Sequence, residues 1–151
     1  MLRNVMEDDL QTFFEHQRDP AAAAMAVFKS REWDDFIAHW RHTVLANPAN
    51  ETRTILVGDQ VAGYVASWEQ DAKRLVAYWV GRQYWGRGVA SLALGEFLAT
   101  QEHHRPIHAY VALSNARSIC VLEKCGFQRV GEPAVAPDEE AEVLFVFGNA
   151  A

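Results

Sequence analysis

The hydrophobic pattern switches from helical to strand-like spacing at the Asn/Pro-rich stretch of residues 47–50. Before this break, large apolar residues recur every three or four positions, as along one face of an α-helix. They are Trp33, Phe36, Ile37, Trp40 and Val44. After the break, residues 53–57 and 61–68 are rich in β-branched and aromatic types, and Gly58-Asp59-Gln60 between them predicts a hairpin. Such a chain folds as a mixed α/β or α+β domain.

Local signals extend this pattern over the rest of the chain. Further strands are predicted at residues 2–5, 75–80, 107–113, 127–131 and 142–147. Helices are predicted at residues 8–18, from Asp19-Pro20 onward, along the Trp33 stripe, at residues 88–101 and from Asn115 to Gly126. The helix at 88–101 is expected to bury Val89, Leu92, Ala93 and Phe97. With 151 residues, the chain has room for one ordinary domain, which we assign to residues 1–151.

Charge and cysteine content exclude several classes of protein. The formal net charge is -6, from 20 acidic and 14 basic residues, which argues against a nucleic-acid or membrane-surface protein. Cys120 and Cys125 match neither a disulfide framework nor a zinc site, so we expect two buried free thiols and no metal. Residues 1–9 turn acidic without an apolar signal core, which favours a cytoplasmic protein.

The segment of residues 81–90 joins a predicted strand to a predicted helix and places Gly86 and Gly88 at the helix entrance. Backbone N–H groups at a helix N-terminus form, with the helix dipole, an anion site that suits phosphate. The two glycines serve an ordinary turn equally well. Two common phosphate loops fit poorly, because a dinucleotide fingerprint has a third glycine where this chain has Ser91, and no Gly-Lys-Ser/Thr triplet occurs.

A motif of the form Q-x-x-G-x-G-x-A begins at Gln83 in this loop and ends at Ala90. It resembles the acetyl-CoA signature of the GNAT superfamily of N-acetyltransferases. The resemblance implies one mixed, twisted sheet of about six to seven strands flanked by about four helices. It also implies acetyl-CoA as co-substrate, with Gln83 at the start of the loop. The backbone amides that would hold the pyrophosphate are those of Gly86, Arg87, Gly88, Val89 and Ala90.

A second block, residues 115–127, resembles the family's N-x-x-S-x-x-V-L-E-K-x-G-F helix. Its spacing, with Tyr78-Trp79-Val80 ahead of the first block, is typical of the branch that includes ribosomal-protein N-terminal acetyltransferases. The likeness covers residues 53–148 well. It implies that the strand edge at Trp79 and Val80 pairs with the pantetheine arm, and that an amide near Val80 polarises the acetyl carbonyl.

The second block also contains candidate side chains. Asn115 is suited to cap its own helix, and the family's matching Asn lies along the coenzyme arm; the two roles are compatible. Many members carry a tyrosine general acid where this chain has Leu122. The ribosomal branch instead has a serine at the position of Ser118, near the sulfur. Ser118 is therefore the candidate catalytic and cofactor-binding hydroxyl, and a serine bonded to a carbonyl of its own helix is the alternative.

No general base is assigned from the sequence. The family's frequent strand glutamate falls near Leu75, where it is missing. Glu69, Asp71 and His108 remain candidates for taking a proton from the amine, each more readily explained as an ordinary polar residue.

The resemblance implies an enzyme that moves an acetyl group from acetyl-CoA to a primary amine by direct attack in a ternary complex. A non-catalytic acyl-CoA-binding or sensory module on the same fold is the alternative, because the usual tyrosine and glutamate are missing. The expected partner is a small-molecule or peptide amine, such as a protein N-terminus, with no nucleic acid, membrane or metal. A homodimer stays open.

Charge is unevenly distributed along the chain. Residues 72–95 contain four basic residues and no acidic one, namely Lys73, Arg74, Arg82 and Arg87. We expect these to gather around the phosphorylated cofactor. The acidic excess lies elsewhere in the chain, where a cationic amine could approach; residues 138–140 are more readily explained as a solvated loop, and an acidic rim there is the alternative.

Overall fold

The computed structural model describes residues 1–26, 31–134 and 141–148. The strands are β1 (Leu2–Arg3), β2 (Glu51–Val57), β3 (Gln60–Gln70), β4 (Lys73–Val80), β5 (Ile107–Ala112), β6 (Gln128–Ala134) and β7 (Glu142–Phe147). The α-helices of these ranges are α1 (Asp9–Arg18), α2 (Pro20–Ala26), α3 (Trp33–His39), α4 (Val89–Thr100) and α5 (Ala116–Lys124), one more than the four or so expected. The mixed α/β class is confirmed. Residues 138–140, with an acidic rim as the alternative to a solvated loop, lie outside the described residues.

The seven strands form one mixed sheet in the order β1-β2-β3-β4-β5-β7-β6. Neighbouring strands run antiparallel except for β4 and β5, which run parallel. β4 pairs with β3 along its whole length, from Lys73 to Val80. With β5, in the ranges that the structure describes, it pairs at one register position, Leu75 opposite His108. The two strands therefore separate toward their carboxyl ends and leave a slot between them.

Side-chain caps start two helices where the sequence predicts them. The Asp19 carboxylate accepts the Ala21 N–H at 2.9 Å at the start of α2. The Asn115 side chain accepts the Ser118 N–H at 3.2 Å at the start of α5. The predicted single helix through Val44 is interrupted, because Trp40–Val44 continue α3 as a π-helix with wider turns.

Helices cover both faces of the sheet, and the two hydrophobic clusters follow from strand geometry. Consecutive residues of a strand point to opposite faces. Tyr64 of β3 packs against Phe13 and Trp40 from the N-terminal helical region. Val65, its neighbour, belongs to the cluster that contains Phe97 of α4. Among the described residues, no helix is long and apolar enough to cross a membrane.

Two burial predictions were wrong. Leu92 is 75% exposed, because the opposite side of α4 faces the core. The buried residues of α4 are Ala93, Leu94, Phe97 and Leu98. This helix is apolar around most of its circumference, so spacing alone did not identify the buried face. Cys120 is exposed and Cys125 half-buried, since α5 turns Cys120 toward the cavity beside the slot.

A buried ion pair lies at the narrow end of the slot. Glu102, just after α4, accepts a hydrogen bond from Arg74 Nε at 2.6 Å and another from the Ser67 hydroxyl at 2.5 Å. All three residues are at most 4% exposed. Burial alone would raise the pKa of Glu102, but hydrogen bonds from Ser67, His104 and Arg74 outweigh it and lower the pKa to about 2. The carboxylate therefore stays ionised and ties β3 and β4 to the connection that leads into β5.

Candidate functional site

A cavity of about 520 Å³ opens where β4 and β5 separate. The carboxyl end of β4, the loop that leads into α4, and α5 surround it. Most of the predicted site residues line it: Trp79, Val80, Gly86, Gly88, Val89, Ala90, Asn115 and Ser118. Gln83 and Arg87 are exposed and lie outside the lining. The fold thus brings the two sequence blocks to one cavity.

The loop between β4 and α4 has the backbone that the glycine motif predicts. Gly86 and Gly88 have φ of +75° and +74°, in the left-handed region where only glycine is unstrained. Gly88 caps α4 directly, and the first turn of the helix contains no acidic residue. The indole of Trp85 donates to the Val80 carbonyl at 3.0 Å, which fixes the loop to the end of the strand. The loop therefore presents the positive end of α4 to the cavity.

Positive charge reaches the cavity from α5. Arg117 and Lys124 line it, and the Arg117 guanidinium lies 4.7 Å from the centroid of the Trp85 ring. The sequence prediction that the basic residues of 72–95 gather here was wrong for Lys73 and Arg74, which lie at the amino end of β4, where Arg74 is buried against Glu102. Arg82 and Arg87 lie in the loop but outside the cavity lining, and Arg82 pairs with Asp19 at 3.3 Å.

Two hydroxyl groups meet on the cavity wall. The Tyr78 Oη of β4 lies 2.7 Å from the Ser118 Oγ of α5 and 3.2 Å from the Ser118 carbonyl oxygen. Burial raises the pKa of Tyr78, and the hydrogen bond with Ser118 opposes this only in part. The phenol therefore keeps its proton throughout the neutral range and acts as a donor. Strand alternation already placed Tyr78 on the same face as Val76 and Val80, so a polar tip on that apolar face was the signal that could have identified it.

The candidate bases lie away from this end of the slot. Glu69 is exposed opposite Arg74, and Asp71 occupies the turn between β3 and β4. His108 faces Leu75, and five residues of strand, about 16 Å, separate that level from Val80. Burial and the charge of Lys73 lower the pKa of His108. None of the three reaches the carboxyl end of β4.

One histidine that the sequence did not single out lies at the carboxyl end of β4. His16 of α1 is 8% exposed, and a Cβ added at Gly81 would come within 2.6 Å of its Nε2. Burial lowers the pKa of His16, so the ring is neutral at pH 7. Its Nδ1 is buried without a hydrogen-bond partner among the residues described. The ring thus lies against the residue that follows β4, at the open end of the slot.

Other lining residues lie in or beside the two sequence blocks but are not assigned a role by them. They are Tyr84 and Trp85 of the loop, Ser91 of α4, and Ala116, Cys120 and Val121 of α5. In the described part of the chain, no group of three or more His, Cys, Asp or Glu side chains could hold a metal ion. The lining is mainly aromatic, small and backbone, with basic groups on one wall.

The family model for the acetyltransferase (GNAT) domain matches residues 1–128. This match spans more than half of the chain and includes β4, the glycine loop and α5. The chain therefore belongs to the GNAT acetyltransferase family. No curated protein sequence matches it.

Solved structures show the same fold at low sequence identity. An aminoglycoside acetyltransferase in complex with coenzyme A is 21% identical with a TM-score of 0.78, and the match covers 99% of this chain and 94% of that one. The spermidine N-acetyltransferase from Vibrio cholerae, in complex with CoA and spermine, is 16% identical with a TM-score of 0.79, over 97% and 94% of the two chains. A GNAT-family acetyltransferase from Bacillus anthracis is 17% identical with a TM-score of 0.77, over 97% and 92%.

Proposed function

We propose that residues 1–151 form one N-acetyltransferase domain, which moves an acetyl group from acetyl-CoA to a primary amine by direct attack in a ternary complex. The observation that carries this proposal is the cavity bounded by the carboxyl end of β4, the glycine loop and α5. The loop at the N-terminus of α4, a strand edge and a pair of hydroxyl groups line one volume of about 520 Å³. Membership of the GNAT family supports the same reaction class.

In this proposal, the loop and α5 hold the phosphorylated part of acetyl-CoA. The amides from Gly86 to Ala90 lie at the N-terminus of α4, where N–H groups have no acceptor within the helix. Arg87 does not line the cavity, and its proposed part is that of its backbone amide between Gly86 and Gly88. Gln83 keeps its proposed place at the start of the loop. Arg117 and Lys124 add positive charge on the facing wall.

In the same proposal, the edge of β4 and the Ser118 hydroxyl of α5 contact the thioester end of acetyl-CoA. Trp79 and Val80 face the slot, where the pantetheine amides can pair with backbone groups. A strand amide near Val80 donates to the acetyl oxygen as negative charge develops on it. Asn115 lies along the same arm while it caps α5. The mouth of the slot thus orients the carbonyl toward an incoming amine.

The proton balance of the transfer gives Ser118 its role. The neutral amine attacks the carbonyl carbon, the C–N bond forms, and the C–S bond breaks. The attacking nitrogen releases one proton to water, and the thiolate of coenzyme A takes up one, so the transfer as a whole neither gains nor loses a proton. Of the hydroxyl groups on the cavity wall, we propose that of Ser118 as the one that donates to the developing thiolate.

We propose a small-molecule or peptide amine as the acceptor. The solved structures of this fold are named as aminoglycoside and spermidine acetyltransferases. The motif spacing instead favours the ribosomal-protein branch, whose acceptor is a protein N-terminus. All of these acceptors present a primary amine, so the shared chemistry is nucleophilic attack by an uncharged –NH₂ group.

Thiol release tests this function directly. The protein is incubated with acetyl-CoA and a panel of spermidine, kanamycin and short peptides with free N-termini, and free coenzyme A is followed with a thiol reagent. We expect amine-dependent release by the wild type and about 100-fold slower release by Ser118→Ala. Ser114→Ala is the matched control, since Ser114 is exposed just before α5 and does not line the cavity.

Two other outcomes would contradict the proposal in different ways. Binding of acetyl-CoA without thiol release on any amine would favour an acyl-CoA-binding or sensory module. Failure to bind acetyl-CoA would refute both functions.

A further inference from the structure

We infer that Tyr78 is a positioning residue, whose phenol orients the Ser118 hydroxyl toward the departing sulfur so that the two hydroxyls act as one unit. This inference rests on the proposed acetyl transfer. It concerns a side chain of β4 that neither sequence block assigns a role.

The geometry joins two separate elements across the cavity. Tyr78 projects from β4 and Ser118 from α5, 40 positions apart in the sequence, and both line the cavity. The Oη–Oγ distance of 2.7 Å is that of a well-formed hydrogen bond between hydroxyl groups. Because the phenol is rigid and half-buried, it restricts the rotation of the serine side chain more than solvent would.

Either hydroxyl could donate in this contact, and the phenol also lies within donating distance of the Ser118 carbonyl, at 3.2 Å. The phenol proton is assigned to Ser118 Oγ because that contact is the shorter of the two, at 2.7 Å. The serine proton is then directed away from Tyr78, and the cavity is the direction open to it.

Without this bond, the serine has a competing arrangement. A helical serine commonly donates its proton to a carbonyl one turn earlier, where it is lost to any ligand. Occupation of one Oγ lone pair by Tyr78 favours the rotamer in which Oγ stays on the cavity wall. A phenol that keeps its proton at neutral pH can do this at every pH of an ordinary assay.

A double-mutant cycle tests the inference. We expect Tyr78→Phe to lower kcat by about five- to tenfold, the effect of one hydrogen bond, while KM for acetyl-CoA changes less than twofold. In the Ser118→Ala background, Tyr78→Phe should have no further effect on kcat, because the group it positions is gone. Tyr64→Phe is the matched control, since Tyr64 is a packed tyrosine on the adjacent strand, outside the cavity lining.

Each outcome separates the inference from the function on which it rests. Additive losses in the double variant, or an unchanged kcat in Tyr78→Phe, would overturn the inference while wild-type turnover leaves the acetyl-transfer function standing. A rise in KM with constant kcat would also overturn it, because Tyr78 would then act only in binding. Absence of wild-type thiol release on every amine would refute the acetyl-transfer function, and the inference with it.

Discussion

The two ends of β4 are held by different kinds of interaction. At its amino end, residues 73–75, the strand pairs with β3 and, through Leu75, with β5, and the Arg74 side chain forms a buried ion pair with Glu102. At residues 78–80, it keeps β3 on one edge and faces the slot on the other. A buried ion pair thus fixes the closed end of β4, residues 73–75, whereas the edge of its open end, residues 78–80, borders the cavity.

The two ends of β4 also differ in the kind of polar group that they contain. The closed end contains an ionised carboxylate and a guanidinium, which depend on each other because an unpaired buried charge is costly. The open end has the neutral hydroxyls of Tyr78 and Ser118 on the wall of a cavity that Arg117 and Lys124 also line. We therefore expect substitutions at the closed end to change stability and those at the open end to change binding and turnover.

The largest expected effect is at the closed end. Glu102→Gln leaves Arg74 buried without a countercharge and should lower the free energy of unfolding by about 3 kcal/mol. Chemical denaturation measures this loss. Glu123→Gln, an exposed change on α5, serves as the control and should be close to neutral. A loss below about 1 kcal/mol for Glu102→Gln would show that the ion pair does not hold this end.

The contribution of Glu102 should also be visible in how the free energy of unfolding depends on pH. The pKa of Glu102 falls from 4.5 to about 2 on folding, so its contribution is complete above pH 4.5 and is lost as the pH falls toward 2. Denaturant titrations between these two pH values should show stability falling with pH. The slope should be shallower in Glu102→Gln. Asp9, whose pKa is also lowered in the fold, contributes in the same direction and is present in both proteins.

A smaller effect, on binding, is expected at the open end. Gly88→Asp places a carboxylate at the N-terminus of α4 on a residue with φ of +74°, and should weaken acetyl-CoA binding by at least about tenfold. Gly88→Ala separates the two causes, because it adds the backbone strain without the charge. Isothermal titration measures both affinities. Equal losses in the two variants would mean that strain alone, and not the anion site, accounts for the change.

The smallest effect is expected for His108. Because it lies at the level of Leu75, about 16 Å along the strand from Val80, His108→Gln should change kcat by less than about threefold. His16→Gln is the matched change at the open end and should lower kcat more, since its ring fills the space beside Gly81. Thiol release across pH 6 to 9 compares the two. A larger loss in His108→Gln would show that the closed end takes part in the chemistry.

Short-range signals predicted much of the fold and part of the site. Asn115 caps α5, and Gly86 and Gly88 adopt positive φ, because each depends on only a few neighbouring residues. The order of strands and helices follows from hydrophobic period in the same way. Leu92 was placed on the wrong face because α4 is apolar on several sides, and a helix of that kind is oriented by what packs against it.

The sequence by itself determined the elements, the glycine loop and the two blocks that identify the family. Only the tertiary structure decided that Arg74 pairs with Glu102, 28 positions away, and so is not available to a phosphate. It also decided that Tyr78 meets Ser118 from a different element. The physical reason is that turns, caps and periodicity are local, whereas the partner of a buried polar group is selected by the separation and packing of distant strands and helices.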